Sequence, residues 1–212
     1  MALSSTSRLH LRVVEPLHDL ERGKPERGGP ADAELVTRAK RGDAWALEAL
    51  YRRHVQLVAA TALRLLRQRA EADDVVQETF LLAFEKLAQL AEPAAFRGWL
   101  VRIAVSRVHR RFRANRLRSM VFVWRNESHD GEVTLESEAH DGASPEQRAE
   151  LALLDRALAQ LALELRTAWT LRHVLGCSVE ETADACNCSL ATIKRRISAA
   201  DQQVRAHLEG AR

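Results

Sequence analysis

Residues 178–200 read SVEETADACNCSLATIKRRISAA, and a short helix, a break and a longer helix can be placed on them residue by residue. Ser178, with Glu181 three positions on, forms a capping box that opens a helix reaching to about Cys186. Asn187 supplies the break, because asparagine tolerates the left-handed backbone better than most residues with a β-carbon. Ser189 caps the longer helix, in which Ile193, Ile197, Ala200, Val204 and Leu208 recur at the spacing of one buried face. Short helix, tight turn and long helix are the helix-turn-helix plan. The long helix carries Ser189, Thr192, Lys194, Arg195, Arg196 and Ser198 at its N-terminal end, with no acid before Asp201. A recognition helix enters the major groove by that end, so these cations and hydroxyls are placed for phosphates and base edges.

Helical signals continue upstream. Ser144-Pro145-Glu146-Gln147 is a second capping box, followed by Leu151, Leu154, Leu158 and Leu161 as an apolar stripe. A helix from about Leu163 to Leu175 then stops at Gly176. Further toward the N-terminus, Asp32 is expected to cap a helix that ends at Gly42, and Asp43 the next one. That second helix has Leu47, Leu50, Tyr51, His54, Val55, Val58, Ala62 and Leu65 on one face. A third places Ala72, Val76, Phe80, Ala83, Phe84 and Leu87 together, and Pro93 begins a fourth. Phe96, Leu100, Ile103, Ala104, Val108 and Phe112 form the buried stripe of the fourth helix; Trp99 and Phe96 read as core, with stacking on unpaired bases as the alternative. Residues 121–144, VFVWRNESHDGEVTLESEAHDGAS, have no helical period, and RGKPERGGP near the N-terminus is a breaker run. The reading is all-α: a flexible tail over 1–30, a helical domain over 31–118, an acidic linker over 119–144 and a helix-turn-helix domain over 145–212.

Composition agrees with that organisation. The 212 residues suit one large or two small domains, and 46% hydrophobic, 29% charged and 5% aromatic content is a globular balance poor in strand formers. The longest uncharged apolar run, Leu57 to Leu63, falls well short of the ~18 residues of a membrane span. MALSSTSRLHLR lacks the apolar core of a signal peptide, so a cytoplasmic protein without membrane insertion is expected. The chain contains no Walker loop, GxGxxG, HExxH or GxSxG, which argues against an enzyme and gives no reason to expect a cofactor.

The net charge of +3 hides a segregation. From Ala94 to Arg118 there are eight arginines and no acid, whereas Asn126 to Glu150 holds eight acids against Arg148 alone. Arg102, Ser106, Arg110 and Arg113 lie along one stripe of the fourth helix, with Arg107 and Arg111 on an adjoining one. Such faces repel themselves unless a polyanion neutralises them. On the third helix Asp74, Gln77, Glu78 and Leu81 share the face opposite the apolar stripe, a ridge suited to docking on a basic protein helix.

Taken together, ADDVVQETFLLAF, then FRGWLVRIA, an acidic linker, and LELRTAWTLRHVLGCSVEETADACNCSLATIKRRI resemble an extracytoplasmic-function sigma factor of bacterial RNA polymerase. The resemblance covers about residues 31–118 and 145–208. It implies a promoter-specificity subunit with Asp74, Gln77, Glu78 and Leu81 on the polymerase clamp. It also implies Arg102, Ser106, Arg107, Arg110, Arg111 and Arg113 at the −10 element, and Ser189, Thr192, Lys194, Arg195, Arg196 and Ser198 at the −35 element. Partners implied are core RNA polymerase (clamp and flap), promoter DNA and an anti-sigma factor. The chain departs from the family at Ser106, where Asn is frequent, at Arg110, where Asp is frequent, and at Ala162 and Asn187, near or at places often held by Pro and Gly.

Two other readings remain at this stage. A stand-alone helix-turn-helix regulator needs only the second domain. A metal- or redox-sensing regulator would use His173, Cys177, Cys186 and Cys188, whose spacings are not those of a zinc finger and whose positions suit small core residues. No metal ligand is therefore assigned.

Overall fold

The computed structural model describes residues 30–122 and 145–210, which are helices and the turns between them. Almost all of the expected tail and linker, and the Ser144 cap, lie outside the described residues. Helix α1 spans Asp32–Lys40, α2 Ala44–Leu66, α3 Arg69–Glu85 and α4 Phe96–Phe122. No Gly or Pro stands between Arg118 and Phe122, so nothing stops α4 at the position where the sequence placed the domain edge. Pro93–Ala95 form a single 3₁₀ turn ahead of α4, the place where a missing N–H costs least.

The first unit is built on α2, which packs against α1, α3 and α4. Leu50, Val58, Phe80, Phe96 and Leu100 are buried at its centre, and Tyr51 meets the ring of Phe80 edge-on at 4.7 Å. Asp43 caps α2 as expected, accepting from Ala46 N at 3.2 Å. Asp32 does not cap α1. The N-cap position is Ala31 without a side-chain bond, and Asp32 reaches across to α2 instead. Its Oδ1 accepts from Arg53 Nη1 at 2.6 Å and its Oδ2 lies 2.8 Å from His54 Nε2, a tertiary arrangement that outcompetes the local cap. At the far end of α2, Arg67 takes φ 60°, the left-handed region. This costs a residue with a β-carbon about 1 kcal/mol relative to glycine.

In the second unit, α5 spans Pro145–Gln160, α6 Leu163–Trp169, α7 Val179–Ala185 and α8 Leu190–Gly210, with a π-helical turn over Thr170–Val174. The Ser178–Glu181 capping box is closed in both directions, at 3.0 and 2.7 Å. Asn187 has φ 49° and Gly176 φ 66°, so both breaks fall where the sequence put them. Ser189 Oγ accepts from Thr192 N at 3.2 Å. α8 is the spine of this unit: Ile193, Ala200 and Val204 are buried against α5, α6 and α7. Leu158 and Leu161 join that core, but Leu151, assigned to the same stripe, is 45% exposed. It lies at the N-terminal end of α5, away from the buried Leu158–Leu161 end.

The two units are packed on each other. α4 meets α7, and α2 meets α6 and the π-helical turn. Val101 and Val105 of α4 are 2% exposed, sealed against Leu171, Cys177 and Ala185. Sequence periodicity had assigned neither valine to the core.

The hydrogen bonds from His54 and Arg53 hold Asp32 well below the usual carboxylate range, at about 2, against an opposing effect of burial. A lowered pKa stabilises the fold above the unfolded-state value near ~4 and ceases to do so as pH falls through the folded one. Chemical denaturation across a pH series should therefore find Asp32→Asn less stable than the native chain at neutral pH. That gap should close as the pH drops from ~4 toward ~2. A pH-independent gap would show that the carboxylate charge is not what ties α1 to α2.

Candidate nucleic-acid interface

The acidic ridge of α3 and the arginines of α4 face one another. Arg111 bonds to Asp74, and its Nε lies 2.5 Å from Glu71 Oε2 at an angle that leaves both atoms without a hydrogen bond. Arg110 Nη2 donates to Glu78 Oε2 at 2.7 Å, and Arg107 and Arg111 reach the same carboxylate at 3.9 and 4.0 Å. Asp74 and Glu78 are thus already paired in the chain by itself, a finding that the separate helical wheels did not anticipate. Gln77 and Leu81 stand exposed beside them, Leu81 at 53%. On α4 the arginines divide accordingly. Arg107 and Arg111 are half-buried against α3, whereas Arg102, Ser106, Arg110 and Arg113 are exposed.

On α8, Ser189, Lys194, Arg195 and Ser198 are exposed, and Thr192 and Arg196 are half-buried. The Thr192 hydroxyl lies 2.9 Å from that of Ser189, so both are held at the helix mouth. Lys194 and Arg195 project from the first turns, as a groove-entering helix requires.

The seam between the units brings these two basic surfaces close. Arg102 of α4 lines a cleft of about 330 Å³ together with Asp184, Asn187, Cys188 and Ser189 of the helix-turn-helix. His109 Nε2 sits 3.0 Å from Thr167 Oγ1 of α6, and Arg97 Nη2 donates to Leu175 O at 3.0 Å. Burial lowers the pKa of His109, Glu164 opposes that, and Arg113 and Arg196 add to the lowering, so the seam favours the neutral imidazole. Arg67 Nη1 forms an ion pair with Asp155 Oδ1 of α5 at 2.8 Å, with the side chains only 10% and 7% exposed. Arg67, Asp155, Arg97 and His109 carried no periodic signal in the sequence. Val101 and Val105 did leave one: with Leu100, Ala104 and Val108 they widen the apolar face beyond the ~100° that one neighbour needs.

His173 does not turn toward the cysteines. Its Nε2 lies 3.1 Å from Asp201 Oδ1 and its ring is stacked near Trp169. Cys177 packs in the seam, Cys188 packs beside Ile193, and Cys186 contributes to both clusters. Burial raises the Cys177 thiol and, with Cys188 adding, pushes Cys186 up to about 12. Such thiols are poor nucleophiles and poor ligands.

Comparison with known proteins converges on one family. The Sigma-70 region 2 pattern matches residues 50–118 and the Sigma-70 region 4 pattern residues 151–202. RNA polymerase sigma-H factor of Pseudomonas aeruginosa is 32% identical over 180 residues, 82% of this chain and 91% of that protein. RNA polymerase sigma factor CnrH of Cupriavidus metallidurans is 30% identical over 184 residues, 84% of this chain and 95% of its own. Among solved structures, CnrH in complex with the cytosolic domain of CnrY superposes with a TM-score of 0.59 at 26% identity, covering 85% of this chain and 99% of that one. The sigma factor RpoE of Bartonella quintana, solved with the anti-sigma factor NepR, shares the fold at a TM-score of 0.63 and 24% identity over 78% of this chain and 98% of its own. With the two sigma-70 regions falling in order on its two helical units, the chain belongs to the extracytoplasmic-function sigma factors, non-enzymatic subunits that direct bacterial RNA polymerase to promoters.

Proposed function

We propose that Asp74, Gln77, Glu78 and Leu81 dock the first unit on the polymerase clamp, that α4 captures the opened −10 strand, and that α8 reads the −35 duplex. The observation that carries this division is the disposition of charge. α8 exposes Lys194 and Arg195 at the end that enters a groove, while α4 exposes Arg102, Ser106, Arg110 and Arg113 along a stripe. Base flipping at the −10 element would cost a few kcal/mol of unstacking, offset by phosphate contacts from that stripe. The second unit would also touch the polymerase flap. The acidic linker would lie in the basic RNA path; its charge, net −7 over residues 126–150 from eight acids and Arg148, runs on into the first turns of α5. An anti-sigma factor would cover these surfaces in a cytoplasmic resting state. CnrH and RpoE have each been solved with a protein partner, which supports that expectation. His173 paired to Asp201 argues against a Cys/His metal sensor.

Because Asp74 and Glu78 already hold Arg111 and Arg110, lysine at these positions would repel its neighbours and confuse docking with misfolding. Neutral isosteres are cleaner. Asp74→Asn with Glu78→Gln, and separately Leu81→Ala, should reduce co-elution with core polymerase, with stability moved by less than ~0.5 kcal/mol at the exposed Leu81. Undiminished co-elution of both would remove the clamp assignment.

A second measurement separates the DNA surfaces. Run-off transcription on matched duplex and pre-melted templates should find Arg195→Ala defective on both. Arg102→Ala and Arg113→Ala should be defective on duplex and largely restored by the bubble. Each lost phosphate contact should flatten the log–log salt slope by ~0.9 on duplex or ~0.7 on single strand. Equal rescue of the two sets, or of neither, would refute the division.

A further inference from the structure

We propose that Gln202 of α8 is a base-reading residue for the −35 duplex, standing at the far end of an exposed ridge whose other members are Ala191, Arg195 and Ser198. This rests on the assignment of α8 to that duplex and adds a division of its surface between bases and phosphates. At about 100° per residue, the four ridge positions fall within about 60° of the helix circumference. Ile193, Ala200 and Val204 lie on the opposite side at 0%, 0% and 6% exposure, so the ridge stands highest above the second unit. A helix in the major groove presents such a line to the floor, where the base edges are, and its flanks to the phosphate walls. Lys194 is exposed on one flank and Arg196 half-buried on the other.

The ridge is free of competing partners. Its four residues are Ala191, Arg195 and Gln202, exposed, and Ser198, exposed as well; among the described residues no hydrogen bond or ion pair occupies Arg195, Ser198 or Gln202. Ser189 and Thr192, by contrast, have their hydroxyls 2.9 Å apart. Asp201, the neighbour of Gln202, would repel phosphates and base acceptors, but it lies on the Lys194 flank, 3.1 Å from His173 Nε2. Because α8 runs on to Gly210, Gln202 sits inside a formed helix and clear of its end.

The side chains on the ridge have complements among the base edges. A glutamine amide offers a donor and an acceptor in one plane, matching N7 and N6 of adenine. The fork of Arg195 matches O6 and N7 of guanine, and the Ala191 methyl can pack on that of thymine. Arg195 and Gln202 are separated by about 10 Å along the helix axis, the reach of about two to three base pairs. A preferred guanine and a preferred adenine should therefore stand at that spacing in the −35 element.

The test is selection by the holoenzyme from a promoter library randomised across the −35 region, with the bound fraction sequenced. Gln202→Ala should lower the preference for adenine at one position by roughly five- to a hundredfold and leave the other positions as they were. Gln202→Arg should turn that same position from adenine to guanine, an exchange that a merely structural side chain would not produce. Arg195→Ala should relax a different position, about two to three base pairs away. Lys194→Ala should weaken binding evenly across sequences and flatten the log–log salt slope by ~0.9, with base preferences unchanged. Thermal unfolding should be nearly the same in all four variants, since the three positions are exposed.

Preferences lost with Arg195→Ala but not with Gln202→Ala would overturn the role of Gln202 and leave the assignment of α8 standing. Loss at that position of a preference for any base other than adenine would overturn the amide pairing. A base preference that vanishes with Lys194→Ala would overturn the division into ridge and flank. A native holoenzyme indifferent to every base of the −35 region would refute the assignment of α8 itself, and the proposal with it.

Discussion

Everything in this molecule depends on α4 being buried along two sides at once. One stripe, Phe96, Leu100, Ala104 and Val108, closes the core of the first unit, and a neighbouring one, Val101 and Val105, receives the second. What remains of the circumference is the arginine stripe. A helix with that many like charges in sequence would be poorly stable by itself, since like pairs at i, i+4 are unfavourable. Tertiary burial on two faces supplies the stability that the charge pattern removes, and so permits a basic surface to be presented on a rigid element.

The arginines are also managed from within the protein. Arg107, Arg110 and Arg111 lean on Glu71, Asp74 and Glu78. Arg110 and Asp74 are exposed, so their pairs are individually weak, whereas Arg107, Arg111 and Glu71 are half-buried and less screened. They also link two assignments that sequence kept apart, because a partner that engages Asp74 and Glu78 changes what Arg110 and Arg111 are free to hold.

Much of this was legible in the chain. Period and capping placed the four helices of the first unit, and Ser178, Asn187 and Ser189 set the helix-turn-helix with its breaks where φ turns positive. These are local signals, decided within a few residues of where they act. What escaped was non-local. Asp32 looked like a cap because nothing in its neighbourhood reveals His54 and Arg53 across the bundle. Arg67 and Asp155 are separated by 88 positions and have no periodic reason to meet. Val101 and Val105 were visible only as an apolar face wider than one neighbour requires, a clue that reports a second contact without naming it.

The seam joins an apolar cluster to one buried ion pair. A purely apolar interface gains by every ångström of area and is lost only at the full cost of hydration, whereas a buried ion pair recovers much of its desolvation penalty when it opens. Replacing Arg67 and Asp155 by well-packed apolar residues would be expected to tighten the packing of the two units. The native pair instead fixes the register of the two units. Area from Val101, Val105 and Cys177 holds the units together, and the Arg67–Asp155 pair decides how they are aligned, because any other alignment would leave Asp155 buried without its cation.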